Sequence, residues 1–243
     1  MRYAIFSDVH ANLEALTAVL EFFDVSAVDR YFCLGDTVGY GADPDACCSR
    51  VREVAEFTVL GNHDAAVSGR MDYSFYYEAA KNAINWTTKQ VTEPNLEWLR
   101  SLPYTQQVDD VLLSHGSPLH PEQFDYIFSV DQADELADHF DDLVPITFIG
   151  HSHLTNSFVI TPEGAQRVNG TTISIESGKK YIVTVGSVGQ PRDYNNRACC
   201  VIHDTDRGTI TFHRIRYNIE LAAQKIFDSQ LAQSFGKRLF LGI

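Results

Sequence analysis

Five apolar runs in this sequence, 3–7, 31–34, 57–60, 111–114 and 146–149, read as buried strands, and a polar motif follows each one directly. The motifs are Asp8-Val9-His10, Gly35-Asp36, Gly61-Asn62-His63-Asp64, His115-Gly116 and Gly150-His151-Ser152-His153. One such motif would be an ordinary helix cap or turn. Five in succession constrain the fold: they are expected to deliver Asp, His and Asn side chains to one edge of one sheet, at the carboxyl ends of the strands, where open α/β sheets bind ligands. The intervening segments agree. Leu13, Leu16, Leu20 and Phe23 fall on one helical face. Asp43-Pro44 reads as an N-cap with Pro at the first helical position, opening a helix to about Val54. A β-α-β-α-β start implies parallel strands with right-handed crossovers.

Residues 65–103 read as helical and carry Tyr73, Phe75, Tyr76, Tyr77, Trp86 and Trp98. They are expected to form a helical insertion or lid. For the aromatics at 73–77, packing in a helical core is the favoured expectation, and stacking on a substrate base is the alternative. Ser129 and Gln132 form a capping box for a helix ending near Phe140. Segments 157–161, 166–175, 180–186, 198–203 and 209–217 read as strands, with turns at Pro162-Glu163-Gly164 and Asp206-Arg207-Gly208. Asn218 caps a last amphipathic helix through about Phe235. The expectation is a single domain over 1–243, an α/β half followed by a β-rich half, with both halves contributing sheets to one sandwich.

Composition excludes some partners. The net charge of −13 repels nucleic-acid backbones and anionic membranes. It tolerates a small anionic substrate where bound cations supply local positive charge. No apolar run approaches the ~20 residues that span a bilayer. The first ten residues reach charge too soon for a signal peptide, so a cytoplasmic location is expected. Cys33, Cys47, Cys48, Cys199 and Cys200 make a poor disulfide framework and read as reduced, buried thiols.

The residue types at the strand ends point to metal. Asp8 and His10 have the spacing at which two side chains converge on one ion. Asp36 has two oxygens and can bridge two ions. Asn62 offers a neutral oxygen, and His115, His151 and His153 offer imidazole nitrogens. Mixed N/O ligation without thiolate suits Mn, Fe, Zn, Co or Ni better than Ca or Mg.

In these motifs the chain resembles the calcineurin-like metallophosphoesterases, whose pattern is D-x-H, G-D, G-N-H-[DE], H and G-H-x-H. Every element is present between residues 8 and 153. Gly186-Ser187-Val188-Gly189-Gln190-Pro191-Arg192 and Gly35-Asp36-Thr37-Val38-Gly39-Tyr40-Gly41 are similar to stretches of small prokaryotic members. The resemblance implies a four-layer α/β/β/α sandwich. It implies that Asp8, His10, Asp36 and His153 hold one metal, and that Asp36, Asn62, His115 and His151 hold the other. His63 would then face the substrate, with Asp64 as its orienting partner. Phosphoprotein phosphatases of this superfamily carry G-D-x-V-D-R-G, and Gly35–Gly41 lacks that phosphate-binding Arg, which argues against a Ser/Thr protein phosphatase.

The expected cofactors are two divalent ions, Mn2+ or Fe first, with Zn2+, Ni2+ or Co2+ as alternatives. The expected activity is hydrolysis of a small phosphodiester or nucleotide-like phosphoanhydride, such as a dinucleoside polyphosphate, by a hydroxide held between the two ions. The alternatives are a phosphomonoesterase with the same site and a non-hydrolytic scaffold, as in the retromer subunit whose motif His is lost. Asn12 stands either near the metals or as the cap of the helix from Leu13. Arg192 and Arg197 are candidates for gripping phosphate, against a plain solvated role.

Overall fold

The computed structural model describes residues 1–243. Its strands are β1 (Arg2–Phe6), β2 (Arg30–Cys33), β3 (Phe57–Thr58), β4 (Thr105–Val108), β5 (Val111–Ser114), β6 (Ile146–Ile149), β7 (Thr155–Thr161), β8 (Gly164–Arg167), β9 (Thr172–Ser174), β10 (Lys180–Val185), β11 (Ala198–Asp204) and β12 (Thr209–Ile215). They form two six-stranded sheets, ordered β3-β2-β1-β11-β12-β9 and β4-β5-β6-β10-β7-β8. Both are mixed. β1, β2 and β3 run parallel in the first. β5, β6 and β10 run parallel in the second. The motif strands therefore do not share one sheet as expected: β1, β2 and β3 lie in the first and β5 and β6 in the second, and the carboxyl ends of the parallel strands of both sheets form the rim that carries the motifs.

Alternation sorts the side chains into layers. Tyr3, Ile5 and Phe32 of the first sheet meet Phe148, Tyr181 and Val183 of the second in one apolar core. Burying each such side chain contributes roughly 1.5–3 kcal/mol. On the outer face of the first sheet, Phe6, Cys33 and Cys200 pack against Leu16, Leu20 and Phe23 of α1 (Leu13–Val25) and Val51 of α2 (Pro44–Val54). On the outer face of the second sheet, Ile149, Phe158 and Ile182 pack against Ala133 of α6 (Val130–Asp134) and Leu136. The order of layers is therefore α/β/β/α, as the resemblance implies. All five cysteines are free and buried.

Several local features differ from expectation. The two halves of the chain do not each form a sheet; β11 pairs with β1, and β10 with β6. The run 166–175 is two strands, β8 on the edge of one sheet and β9 on the edge of the other. Gly170, at φ 128°, lies in the link where the chain changes sheet. β4 has no counterpart in the sequence reading, because Thr105–Val108 is a polar edge strand with little alternation. The helix from the Ser129–Gln132 capping box ends at Asp134 and gives way to a 3-10 turn over Ala137–Asp142. The last helix is two, α7 (Ile219–Phe227) and α8 (Gln233–Leu241). Between them the Ser229 hydroxyl donates to Ile226 O and accepts from Leu231 N, a local alternative to helix bonding.

The segment expected to be a helical insertion, 65–103, is mostly helical: it follows the start of α3 (Asn62–Val67) and contains an irregular stretch over 68–77, α4 (Glu78–Gln90) and α5 (Glu93–Ser101). α4 supplies Ala83 to a cluster with Ile226 and Phe235 of the C-terminal helices, which braces Tyr40 from behind.

Candidate metal centre

Short loops after β1, β2, β5 and β6 bring the motif residues together backbone to backbone. Asp8 N donates to Gly35 O, His10 N to Asp36 O and Gly150 N to His115 O, all at 2.9–3.0 Å. Gly35 sits at φ 92°, and a Cβ there would collide with the Gly61 amide, so the two loops meet only because both residues are glycine. Asp8, His10, Asp36, His151 and His153 all have left-handed backbones, at φ 53°, 46°, 51°, 65° and 59°. Such residues cost about 1–3 kcal/mol each and cluster at functional sites.

Three groups of ligand atoms result: Asp8, His10 and His153; His10, Asp36 and His63; and Asp36, His115 and His151. Within each, the atoms lie within 4.8 Å of one another. His10 Nδ1 faces Val38 O at 3.1 Å, His115 Nδ1 faces Leu34 O at 2.7 Å and His153 Nδ1 faces Gln190 O at 2.6 Å. A carbonyl only accepts, so each Nδ1 carries the proton and each Nε2 is turned inward. His10 Nε2 and His153 Nε2 are then 3.0 Å apart. Burial holds both imidazoles well below the ordinary His range, so the two atoms face each other as lone pairs. Two acceptors at that distance, with Asp8 Oδ1 3.3 Å from His153 Nε2, fit a cation between them.

The neighbouring group tells the same story with a proton. Burial alone would lower His115, but Asp36 and Asp8 outweigh it and push it up to about 9. Its Nε2 lies 3.4 Å from Asp36 Oδ2 and 3.2 Å from Asn62 Oδ1. Burial opposes ionisation of Asp36, yet the imidazoles of His115, His63 and His10 hold its carboxyl well below the usual range. Burial pushes Asp8 up to about 7. Oxygen and nitrogen acceptors converge here, and positive charge is what they lack.

All seven expected ligands are buried at this one place: Asp8, His10, Asp36, Asn62, His115, His151 and His153. His63 is beside them, with its ring packed on Tyr40 at 4.5 Å and on His10 at 5.0 Å. Its Nδ1 is buried without a partner. Asp64 takes a different place from the one expected. Its carboxylate accepts from the Val38 and Gly61 amides, so it clamps the loop after β2 instead of orienting His63. Asn12 is the cap of α1: its Oδ1 accepts from Ala15 N and its Nδ2 donates to Gly189 O. Arg192 faces the site, with Nε buried and unpartnered and its guanidinium 5.8 Å from the Tyr40 ring centre. Arg197 is exposed, bonds to Asn195 and lies outside the site.

Above the cluster opens a cavity of about 450 Å3, with Asp36, Asn62, His151, His153 and Arg192 in its floor. Its walls are aromatic. Phe75 and Tyr77 are exposed to it, 74% and 53% accessible, so they are not the helix-core residues that their sequence context favours. Tyr73 and Tyr76 do pack partly on the insertion core. Tyr76, one of the 73–77 aromatics, also lines the wall, and its hydroxyl accepts from Asn62 Nδ2 at 2.6 Å; two further wall residues, Tyr40 and Tyr126, have no assigned role from sequence alone. Only Tyr40 has a signal there, since it occupies the Arg position of the phosphoprotein phosphatase motif.

A two-sheet sandwich with Asp, Asn and His side chains converging on one rim is the arrangement expected of a metallophosphoesterase. The sequence pattern of the calcineurin-like phosphoesterase superfamily domain matches residues 1–208, and the chain belongs to that superfamily. The superfamily consists of phosphate-ester hydrolases that generally bind divalent metals. The chain is 39% identical to an uncharacterized protein of Methanocaldococcus jannaschii, over 98% of this chain and 97% of that one. A solved metallophosphoesterase from Sphaerobacter thermophilus is 38% identical, with a TM-score of 0.86 over 100% of this chain and 99% of that one. A hypothetical protein from Pyrococcus horikoshii OT3 shares the fold at 16% identity, with a TM-score of 0.78 over 100% of this chain and 98% of that one. No helix is long and apolar enough to cross a membrane.

Proposed function

We propose that the chain is a dinuclear-metal hydrolase of small phosphodiesters or nucleotide-like phosphoanhydrides, dinucleoside polyphosphates among them. One observation carries the reading: Asp36, on the floor of a cavity with aromatic walls, belongs to the group with His115 and His151 and stands 3.6 Å from the His10 Nε2 of the group with Asp8 and His153. Asp8, His10, Asp36 and His153 hold one ion, and Asp36, Asn62, His115 and His151 the other. Mn2+ or Fe is the first choice for these donors, then Zn2+, Ni2+ or Co2+. When bound, the ions supply Lewis acidity toward the phosphoryl oxygens and an activated water.

The remaining chemistry falls to the chain's own groups. His63 protonates the leaving oxygen. Burial lowers its pKa, and an anionic phosphate in the cavity favours its protonated form. Arg192 grips phosphate oxygens through its planar fork. Phe75 and Tyr77 offer free ring faces to a planar group on the substrate, worth about 0.5–1.5 kcal/mol per contact.

Metal analysis followed by a substrate panel with added Mn2+ tests the reading. Diesters and dinucleotides are expected to turn over faster than monoesters. Phe75→Ala and Tyr77→Ala are expected to raise KM several-fold for a dinucleotide and little for a methyl phosphodiester. They are cleaner probes than Tyr76, which also touches Asn62. Equal effects on both substrates would remove the stacking role. A metal-loaded protein that hydrolyses nothing would favour the scaffold alternative.

A further inference from the structure

Of the four histidines expected to ligate metal, His151 alone has no carbonyl to orient its ring. His10, His115 and His153 each donate Nδ1–H to a main-chain oxygen. The His151 backbone is anchored, because its N–H donates to the Asp8 carboxylate at 3.1 Å. Its ring has no such tie. Instead the Tyr126 ring lies flat on it, with centroids 3.8 Å apart and planes 12° from parallel.

We propose that Tyr126 is the positioning residue for His151, doing by stacking what carbonyls do for the other three imidazoles. The proposal rests on the reading that His151 ligates a metal. A ring free to turn about its Cβ–Cγ bond presents nitrogen to an ion only part of the time. A flat neighbour removes that freedom before the ion arrives, and ligand orientation by such outer contacts governs affinity.

Tyr126 is built to be such a neighbour. Phe124 and Ile127 on either side of it are buried, and Ser117 N donates to Asp125 O at 2.8 Å, so the segment is pinned. The Tyr126 side chain is not itself a core filler, since the residue is 45% exposed. Its contact with His151 is therefore not a by-product of close packing. Because Tyr126 also lines the cavity, the contact joins the substrate wall to the metal group of Asp36, His115 and His151.

The test is a calorimetric Mn2+ titration of metal-free protein, comparing wild type with Tyr126→Phe, Tyr126→Leu and Tyr126→Ala. His151→Ala identifies which binding step belongs to that ligand group. Leu and Ala are expected to weaken this step by about 10–100-fold and leave the other unchanged, while Phe stays within about twofold of wild type. Tyr126→Ala added to His151→Ala is expected to cost nothing more. Thermal melts monitor folding, and should Ala fail to fold, the Leu–Phe comparison decides. Unchanged affinity in Ala, or Leu binding as well as Phe, overturns the proposal, as does equal weakening of both steps. Wild-type protein that takes up neither Mn2+ nor, in parallel titrations, Fe2+, Zn2+, Ni2+ or Co2+ overturns the metal reading itself, and this proposal with it.

Discussion

Adding one methyl group at Gly39 should disable His63 while leaving the metals in place. Gly39 sits at φ 93°, and an added Cβ would lie 2.5 Å from His63 Nδ1, 3.0 Å from its Cγ and 3.3 Å from its Cβ. Ordinary contact begins near 3.4 Å, so the ring must retreat by about 0.9 Å or the loop must open. Retreat is restricted, since Tyr40 and His10 pack on the ring at 4.5 Å and 5.0 Å. A displacement near 1 Å at a reacting group costs on the order of 10²-fold in rate. The left-handed backbone adds about 1–2 kcal/mol of strain, which in a chain of this size lowers Tm by roughly 2–8 °C. Metal content should hold, because Asp64 still clamps the Val38 amide and Val38 O still receives His10. The assay is metal content by elemental analysis, with kcat/KM on a phosphodiester. Gly39→Ala with wild-type kcat/KM would show that His63 placement is not rate-determining. Loss of metal together with activity would show that the Gly39 loop supports the ligands, and would refute the separation of His63 placement from metal binding.

Two more expectations bear on the same site. If His63 protonates the leaving group, His63→Ala keeps its metals and loses on the order of 10²–10⁴-fold with an alkoxide leaving group, but clearly less with nitrophenolate. Equal losses would assign His63 to phosphoryl charge instead. Asp36 stands 3.6 Å from His10 Nε2 and 3.4 Å from His115 Nε2, so Asp36→Ala should lower occupancy of both ions, read by elemental analysis. A variant that keeps both ions would end the bridging role.

How much is legible in the sequence follows from where each signal is stored. The ligand set is legible because each member follows an apolar run directly, and strand direction alone delivers the side chain to the rim. The sandwich order follows from the family pattern. The interleaving of the sheets does not, because the pairing of β1 with β11 joins residues about two hundred apart and leaves no local trace. The split of 166–175 depends on which sheet edge each half finds. Arg192 and Arg197 are alike in sequence, and only the path of the loop separates a cavity residue from an exposed one. Asp64 carries a motif position, but its role is fixed by two amides that no spacing rule announces. Tyr126 lies in an irregular segment, where periodicity has nothing to report.

The site and the core are separate stores of free energy, and removing the metals should show it. None of the seven expected ligands belongs to the apolar core between the sheets, which draws on β1, β2, β5, β6 and β10 among others. The expected ligands instead sit at the rim, Asn62 at the start of α3 and the others in loops, five of them in strained left-handed turns, where Asp8 and Asp36 are paired with imidazoles and amides. Chelation therefore leaves the core contacts intact but forfeits the binding contribution. At free metal ~1,000-fold above Kd, one ion contributes about 4 kcal/mol. For a chain of this length that is a Tm decrease of roughly 8–16 °C per ion. Protein treated with a chelator should thus stay folded at 25 °C by circular dichroism and melt earlier in a thermal scan, and Mn2+ should restore the difference. Unfolding at 25 °C on chelation would mean that the rim holds the sheets together and that the apolar core is insufficient alone. A melting temperature indifferent to both chelator and Mn2+ would mean that the seven side chains hold no ion.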